Sequence, residues 1–488
     1  MKRFVGVAGL GLLLLLAVLL WRGATYGPGG EQLQPLPTPP PLDSARAAES
    51  LAQAIAFRTI SMGADQPPPR DALLALQDWL TQRYPQVHQA MQLERVAELT
   101  LLYRWPGREP ELPPLLLMAH QDVVPINPAT ASDWTHPAFA GTVADGRIWG
   151  RGALDDKGSL VAIMEACESL LGAGFQPRSD VWLLLGHDEE IGGTGVQAAV
   201  AWLGDRQVRP RLVLDEGFMV LADFPLTGRP AAIIGIAEKG YLTLQLTAPA
   251  AGGHSSMPPR ESGAVRLARA IVALEENQLP GSLDDAPVAQ MLAGVASDLS
   301  FTQRVLLANR WLFGSLIEKK LSAQPGGNAM LRTTTAPTML SGSVKDNVLP
   351  QAATAMVNFR LHPRDSSESV IAHVQRLVEA FGVEVAIAPG NLASEASPLS
   401  PTDTPAWRTL QALAHWTGDG APIAPGLVVG ATDARHFREL TNASYRFLPM
   451  IASPAEIAGF HGTDEHLSVA NMGRMVEGYA RLIMAFDD

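Results

Sequence analysis

The chain has 488 residues, and 47% of them are hydrophobic, which is enough to bury a large core and excludes a disordered or fibrous protein. Asp and Glu number 49 against 37 Lys and Arg, and the net charge of −12 argues against a protein whose main task is to bind nucleic acid. The single cysteine, Cys167, excludes an internal disulfide and any zinc site built from cysteine pairs, so a metal ion must be held by His, Asp and Glu.

The chain opens on an apolar run. Lys2 and Arg3 precede the 18 uncharged residues 4–21, which would form a helix roughly 27 Å long at about 1.5 Å per residue. The run is longer than the apolar part of a cleaved signal peptide, and no small-x-small cleavage site ends at Ala24. Residues 1–22 are therefore predicted to be a transmembrane signal anchor, with a cleaved signal peptide as the alternative. The positive N-terminus predicts that the rest of the chain lies on the extracytoplasmic, periplasmic side.

Residues 23–43 contain six prolines, which preclude a regular helix and favour an extended chain. We predict that this segment is a semi-rigid linker that separates a globular domain from the membrane. An ordinary disordered tail is the alternative.

Helical and short apolar segments alternate from residue 44 onward. Ala47–Phe57 and Asp71–Tyr84 have helical patterns, whereas 114–118, 181–185 and 212–214 are short apolar runs typical of buried strands. This alternation predicts an α/β catalytic domain with a mostly parallel sheet flanked by helices.

The pattern changes at residue 240. Tyr241–Ala248 and Ala353–Leu361 alternate between apolar and polar residues, as half-buried antiparallel strands do, and helical patterns lie between them at Ala264–Glu276 and Gln303–Leu321. We predict an inserted α+β domain over residues 240–363, which divides the catalytic domain into a first part, 44–239, and a second part, 364–488.

Three of the predicted catalytic strands end in histidine or carboxylate residues. The first leads into His120 and Asp122, the second into Glu189 and Glu190, and the third into Asp215. Ligands of open α/β sheets gather at the carboxyl ends of the strands, and carboxylates crowded there would repel one another without a cation. Imidazole and carboxylate donors without thiolate suit zinc, with cobalt or manganese as alternatives.

The chain resembles a known family. The segments MAHQDVVP, GRGALDDKGS, GHDEEIGG, LDEG, GGHSS, VNFRLHP, GATDARHF and FHGTDEH follow one another in the order found in co-catalytic zinc metallopeptidases and amidohydrolases. That family includes carboxypeptidase S, carboxypeptidase G, the aminoacylases and succinyl-diaminopimelate desuccinylase. The chain looks nearest to the branch of carboxypeptidase S and the N-acyl-amino-acid synthase/hydrolases.

The resemblance implies two Zn²⁺ ions per chain, with Co²⁺ or Mn²⁺ as alternatives. His120, Asp155 and Asp215 would hold one ion, whereas Asp155, Glu190 and His461 would hold the other, so that Asp155 bridges the two. Such a pair of ions activates a water molecule and polarises the scissile carbonyl.

Other roles follow from the same resemblance. Glu189 would be the general base, and Asp122 would accept the second ring N–H of His120 and so orient that ligand. The family also has a cis peptide bond after its bridging aspartate, here between Asp155 and Asp156.

The resemblance also suggests substrate-binding residues. His254 would stabilise the carbonyl oxyanion, in relatives often across a dimer interface, and Arg360 would bind the substrate carboxylate. Asn347 and the loop Gly430–Arg435 correspond to further carboxylate-binding positions. A turn histidine and a surface ion pair are the structural alternatives for His254 and Arg360.

The sequence therefore predicts a membrane-anchored dizinc hydrolase that cleaves an amide bond beside a free α-carboxylate. The substrate is either a peptide, as for carboxypeptidase S, or an N-acyl amino acid, as for aminoacylases. A non-catalytic carboxylate-binding receptor is a remote alternative. The expected partners are this substrate, the membrane through the N-terminal helix and a second copy through the inserted domain, with no nucleic acid.

Overall fold

A computed structural model describes residues 2–27, 29, 33–63, 65–390 and 393–486. Its α-helices, in chain order, are α1 Lys2–Ala24, α2 Ser44–Ile55, α3 Arg70–Arg83, α4 Pro85–Ala90, α5 Lys157–Gly172, α6 Thr194–Asp205, α7 Gly263–Glu276, α8 Ala286–Gly294, α9 Phe301–Ala308, α10 Arg310–Ser322, α11 Pro325–Leu331, α12 Ser367–Val378, α13 Pro405–Thr417, α14 Pro454–Gly459 and α15 Val469–Ala485.

The strands, in the same order, are β1 Gln92–Val96, β2 Thr100–Trp105, β3 Leu115–His120, β4 Thr142–Ala144, β5 Arg147–Trp149, β6 Val181–Gly186, β7 Leu212–Asp215, β8 Val220–Phe224, β9 Arg229–Glu238, β10 Gly240–Pro249, β11 Gly253–His254, β12 Thr334–Ser341, β13 Val348–Leu349, β14 Ala352–Leu361, β15 Glu384–Ile387, β16 Ile423–Val428, β17 Ser444–Arg446, β18 Ile451–Ala452 and β19 His466–Ser468. The helices and strands predicted from the sequence are present, with shifts of a few residues at their ends.

A large sheet forms the centre of the molecule, with the strand order β1-β2-β6-β3-β7-β17-β9-β8-β18 and β16 beside β9. Its middle strands, β6, β3, β7 and β17, are parallel, whereas β1 and β2 pair antiparallel with their neighbours and β8 pairs antiparallel with β9 and parallel with β18. The sheet is thus mixed rather than mostly parallel as predicted. Because β3 pairs with both β6 and β7 in parallel, the residues that follow these three strands emerge at one edge.

Helices cover both faces of this sheet. The central strands are buried along their whole length, as a sheet covered on both faces requires. Helices α2, α5, α13 and α15 pack on one face, and α6 packs on the other. Cys167 lies within α5 and is fully buried.

A second, antiparallel sheet has the order β12-β14-β10-β15. Along β10 and β14 buried residues alternate with partly exposed ones, because α7 and α12 cover a single face. Helix α12 and strand β15 thus belong to this unit, although the sequence predicted that it ends at residue 363. The chain returns to the large sheet only after β15.

Helices α8 to α11, residues 286–331, form what we call the helical insert. The sequence predicted this segment as part of the inserted domain, but its apolar residues pack against the large sheet. Gly294 lies so close to Ala424 of β16 that a Cβ atom added there would lie 2.6 Å from the Cβ of Ala424. The helix predicted over Gln303–Leu321 is interrupted at Asn309, whose buried side chain donates to the carbonyl of Val305.

The N-terminal residues differ from their prediction in two ways. In the part of the chain that the structure describes, no helix has the length and apolarity needed to cross a membrane, so the predicted transmembrane span is not confirmed. Met1 and the side chains of residues 2–6 and 8 lie outside that part. The proline-rich segment is not a projecting linker, because Arg481 of α15 donates to the carbonyls of Leu36 and Pro37 and holds this segment along the body.

Candidate active site

Asp155 is placed between two histidines at the edge where β3, β6 and β7 end. It lies in the loop between β5 and α5, with His120 at the end of β3 and His461 in the loop after α14. The Nε2 atom of His120 is 2.8 Å from Oδ1 of Asp155, and Nε2 of His461 is 2.7 Å from Oδ2. Although burial opposes it, these two contacts hold the pKa of Asp155 well below its usual range. Each oxygen of one carboxylate therefore faces a different imidazole.

Each histidine also faces a glutamate. Glu216 Oε1 is 3.5 Å from Nε2 of His120, and Glu190 Oε2 is 3.4 Å from Nε2 of His461. Burial raises the pKa of both glutamates, and the nearby charge of Asp155 raises it further. The site is therefore two halves that share Asp155.

The structure does not bring Asp215 into this cluster. Its Oδ2 atom accepts a hydrogen bond from the backbone N–H of Ala434 at 2.8 Å, and its Oδ1 atom accepts one from the N–H of Glu216 at 3.0 Å. The side chain is thus used to hold the loop after β16. Glu216, the next residue along the chain, takes the place beside His120.

Asp122 connects the two sides of the site. Its Oδ1 atom is 3.3 Å from Nδ1 of His120, the ring nitrogen that faces away from Asp155. The same carboxylate accepts hydrogen bonds from the backbone N–H groups of Glu189 and Glu190, at 3.1 and 3.3 Å, and from Ser61 Oγ at 2.6 Å. A fully buried Asp122 therefore orients the imidazole and the chain that carries both glutamates.

The loop that carries Asp155 is held by Glu465. This buried carboxylate accepts hydrogen bonds from the backbone N–H groups of Gly152, Leu154 and Asp155, at 3.0, 2.8 and 3.1 Å. It is also paired with the buried guanidinium of Arg151. Because Glu465 follows His461 by four residues, one loop both supplies a histidine and positions the shared aspartate. The peptide bond between Asp155 and Asp156 is cis, as predicted.

Glu189 lies beside the cluster and is partly buried. Burial raises its pKa well above the usual value, and the neighbouring carboxylates of Asp433 and Glu190 raise it further, while His120 and Arg435 oppose this. A carboxylate with a raised pKa can both take up and release a proton near neutral pH, as a general base requires.

The residues of the cluster fit a divalent metal. Donor atoms within 4.8 Å of one another come from two groups, His120, Asp155 and Glu190, and His120, Glu189 and Glu216. Among the described residues, the buried Oε1 atom of Glu190 has no hydrogen-bond partner. An unpaired carboxylate oxygen amid crowded carboxylates is costly unless a cation binds it. Imidazole and carboxylate ligands suit zinc.

Among the predicted substrate residues, Arg360 lies on β14 with its guanidinium over the ring of Tyr241, 4.8 Å from the ring centre. Burial lowers its pKa, and so does the nearby cation of Arg435, while Tyr241 opposes this. Arg435 in turn lowers the pKa of Glu189. Arg435 also donates to the carbonyl of Gly192, three residues after Glu189, at 3.3 Å. A second guanidinium is thus near enough to influence the pKa values of both Arg360 and Glu189.

The remaining predicted residues lie elsewhere. His254 and Asn347 are exposed and close together, because the N–H of Ser255 donates to the carbonyl of Asn347 at 3.1 Å. The Nδ1 atom of His254 is 2.8 Å from Ser256 Oγ. Gly430 lies in the loop after β16, and a Cβ atom added there would meet nothing within 4 Å.

Sequence reasoning missed two residues, Glu216 and Glu465. Each lies within a segment that had been recognised, LDEG or FHGTDEH, but the segment alone does not show which of its charged residues faces the cluster. The direction in which a side chain leaves a strand end decides this, as the opposed positions of Asp215 and Glu216 show.

Comparison with known proteins agrees with this site. A buried His and carboxylate cluster at the carboxyl edge of an α/β sheet defines the class of metal-dependent hydrolases. Residues 116–485 match the family described as Peptidase family M20/M25/M40. The chain belongs to this family and is a metallopeptidase or amidohydrolase.

Relatives of known sequence support the same assignment. The chain is 36% identical over 484 residues to the probable carboxypeptidase S-like 2 of Dictyostelium discoideum, covering 97% of this chain and 92% of that protein. It is 37% identical over 445 residues to the N-fatty-acyl-amino acid synthase/hydrolase PM20D1 of Xenopus tropicalis, covering 90% and 85%. The M20 family metallo-carboxypeptidase Sso-CP2 of Sulfolobus solfataricus shares the fold, with a TM-score of 0.67 at 17% identity over 90% of this chain and 99% of that one.

Proposed function

We propose that the protein is a binuclear zinc hydrolase that cleaves an amide bond beside a free α-carboxylate. His120, Asp155 and Glu216 would hold one ion, and Asp155, Glu190 and His461 would hold the other, with Glu216 in the place that the sequence assigned to Asp215. When bound, such ions lower the pKa of water and polarise a carbonyl group. The support for this ligand set is that each carboxylate oxygen of Asp155 faces one histidine and that each histidine faces one glutamate.

Glu189 is the general base in this proposal. It takes a proton as water attacks the carbonyl carbon and gives a proton to the nitrogen of the leaving amine when the C–N bond breaks. Asp122 holds the backbone N–H of Glu189, so the base stays in place as its charge changes. Asp433 keeps the pKa of Glu189 raised by its nearby negative charge.

Arg360 and Arg435 are proposed to bind the α-carboxylate. The observation that carries this point is that Arg435 donates to the carbonyl of Gly192, three residues after Glu189, and influences the pKa values of both Glu189 and Arg360. The two guanidinium groups repel each other, and a substrate carboxylate bound by both would remove that repulsion and accept charge-assisted hydrogen bonds. Such a carboxylate would be bound near the base.

A comparison of a free acid with its amide tests this assignment. We expect the parent enzyme to cleave the free acid, and Arg360→Ala to lower kcat/KM by roughly 10²-fold, since each charge-assisted bond is worth about 1.5–3 kcal/mol. Arg360→Lys should restore only part of this loss, because an ammonium cannot form a planar fork. Arg269→Ala, which removes an exposed guanidinium of α7, is the matched control and should leave kcat/KM unchanged. Equal cleavage of the amide and the free acid would contradict the proposal.

On the carbonyl side of the scissile amide bond, the substrate carries either an amino acid or peptide, or a fatty acyl or other acyl group. Our first candidate is a carboxypeptidase S-like peptidase, as the relative in Dictyostelium discoideum is named. The second is an N-acyl-amino-acid amidohydrolase, because another relative is named as an N-fatty-acyl-amino acid synthase/hydrolase. Dipeptides and N-acyl amino acids that share one C-terminal residue should be compared by kcat/KM. A preference for the dipeptide supports the peptidase, and a preference for the long acyl chain supports the amidohydrolase.

The extracytoplasmic location and the homodimer remain predictions. Exposed His254 lies in the two-stranded sheet of β11 and β13, where a second copy could place it over a neighbouring active site. The oligomeric state in solution, measured by light scattering, tests the dimer.

A further inference from the structure

Helix α1 carries many apolar side chains of its own that are exposed to solvent. The consecutive residues Leu12 to Leu16 are all exposed, and the sequence has no acidic residue between Lys2 and Ala24. Consecutive residues of a helix point in different directions, so the exposed apolar surface extends around the helix and does not form a single stripe. A helix that is apolar all round is stable when buried in a protein core or in lipid.

The C-terminal end of α1 packs against the helical insert. A Cβ atom added to Gly23 would lie 2.4 Å from a side-chain carbon of Val305, so only glycine allows this close approach to α9. Arg22 Nε donates to the carbonyl of Ala308 at 3.0 Å, and Asn309 Nδ2 donates to the carbonyl of Leu19 at 3.1 Å. Because Asn309 is fully buried, this contact is part of the packed structure.

The insert continues the apolar surface of α1. Helix α10 exposes Trp311, Leu312 and Leu316, and the exposed fraction of Trp311 is 61%, close to the 67% of Trp21. Trp21 and Trp311 line the same shallow hollow, together with Arg22 and Arg310. Tryptophan beside arginine is typical of the boundary between lipid and water, where the indole ring is half immersed.

We propose that α1 and the exposed residues Trp311, Leu312 and Leu316 form one lipid-binding surface. In this arrangement α1 is immersed in lipid, Trp21 and Trp311 lie at the boundary, and the contact at Gly23 fixes how the catalytic body is oriented on the membrane. A protein partner would cover only one face of α1, whereas lipid would cover all of its exposed apolar faces. Arg22, beside Trp21, favours anionic lipid, whereas the charge of Arg310 is paired with Asp284 in the same hollow.

A fluorescent probe at position 311 tests the proposal without reference to hydrolysis. In the full chain with Cys167→Ala, an environment-sensitive fluorophore is attached to Trp311→Cys, and vesicles of phosphatidylcholine and phosphatidylglycerol are added. We expect a blue shift and brighter emission. Val272→Cys on α7, an equally exposed apolar position at 52%, is the matched control and should show no change. A protein that floats with the vesicles while the probe at 311 does not change would overturn the proposal, as would the same shift without vesicles, which indicates self-association.

Gly23→Leu separates the two parts of the surface. The added side chain cannot fit against Val305, so α1 should detach from α9 while it still binds lipid. We expect flotation with the vesicles to persist and the blue shift at position 311 to fall by half or more. An undiminished shift would show that α1 does not orient the insert. Because neither readout depends on turnover, failure of the proposed hydrolase activity would leave this result unaffected.

Discussion

The active-site cluster and the helical insert are built in opposite ways. In the cluster, charged side chains are buried and paired with groups from distant parts of the chain, as Glu465 is with Arg151 and the loop of Asp155. In the insert, every described side chain of α10 is at least partly exposed, and the contacts to α1 include one buried asparagine, one close glycine and the bond from Arg22 to the carbonyl of Ala308. Buried charge makes the cluster intolerant of change, whereas the insert should tolerate substitution of its outer face.

The largest effect should come from Asp155, since it is the one ligand that both halves of the cluster share. Asp155→Ala should lose both metal ions and nearly all activity, and chelation of the parent enzyme should abolish activity that zinc or cobalt restores. Elemental analysis of the purified variant measures the metal content. Retention of two zinc ions per chain would remove Asp155 from its bridging role.

A change at Glu189 should separate proton transfer from metal binding. Glu189→Gln keeps the shape and removes the proton acceptor, so kcat should fall by about 10²–10⁴-fold while the metal content stays that of the parent. Glu190→Gln, the neighbouring control, should instead weaken metal binding. Equal metal loss in both variants would show that their roles are not divided in this way.

Glu216 and Asp215 offer the sharpest test of the ligand set. Glu216→Gln should lower the affinity for one of the two ions, because its carboxylate faces His120. Asp215→Asn should keep both ions and lower the free energy of unfolding, because it weakens a buried bond to the N–H of Ala434. Titration with Zn²⁺ followed by calorimetry distinguishes the two. The reverse outcome would restore the assignment that the sequence favoured.

In the helical insert, Asn309→Ala should cost about 1–3 kcal/mol of stability, because it removes a buried donor to the carbonyls of Leu19 and Val305. Urea unfolding measures this loss, and kcat/KM should not change, since the residue contacts no part of the cluster among the described residues. A comparable substitution on the outer face, Leu316→Ser, should have little effect on stability. A large loss of activity in Asn309→Ala would mean that the insert and the cluster are coupled.

The smallest effect concerns pH. Burial lowers the pKa of Lys239 from 10.5 to about 7, with a further contribution from Arg360. The unfolded chain then binds more protons than the folded chain between these two values, so stability from this group rises as the pH increases through that range. The melting temperature of the parent should therefore rise relative to that of Lys239→Met as the pH is raised above about 7. Parallel pH profiles of the two proteins would contradict this.

The central strands β3, β6 and β7 of the large sheet could be predicted, because each is a short apolar run that ends in a charged motif. The sequence could not show whether Asp215 or Glu216 faces His120, since adjacent residues at a strand end differ only in the direction in which their side chains point. The extent of the small sheet was missed because β15 lies beyond an ordinary helix and carries little hydrophobic pattern. The insert was misplaced for a similar reason, since its apolar residues do not reveal which sheet they cover. The proline-rich segment was misread because its attachment depends on Arg481, more than 400 residues away in the sequence.

The chain crosses from the large sheet to the small sheet and returns through two segments that pair with each other. The outgoing segment at Glu238 and Tyr241 and the returning segment at Ser394 and Ser397 hydrogen-bond to each other through their backbones, at 2.8 to 3.0 Å. Two chains bonded in this way form a ribbon, which bends easily across its width but resists sliding of one chain along the other. The ribbon therefore keeps the small sheet, and Arg360 with it, at a fixed register relative to the end of β9.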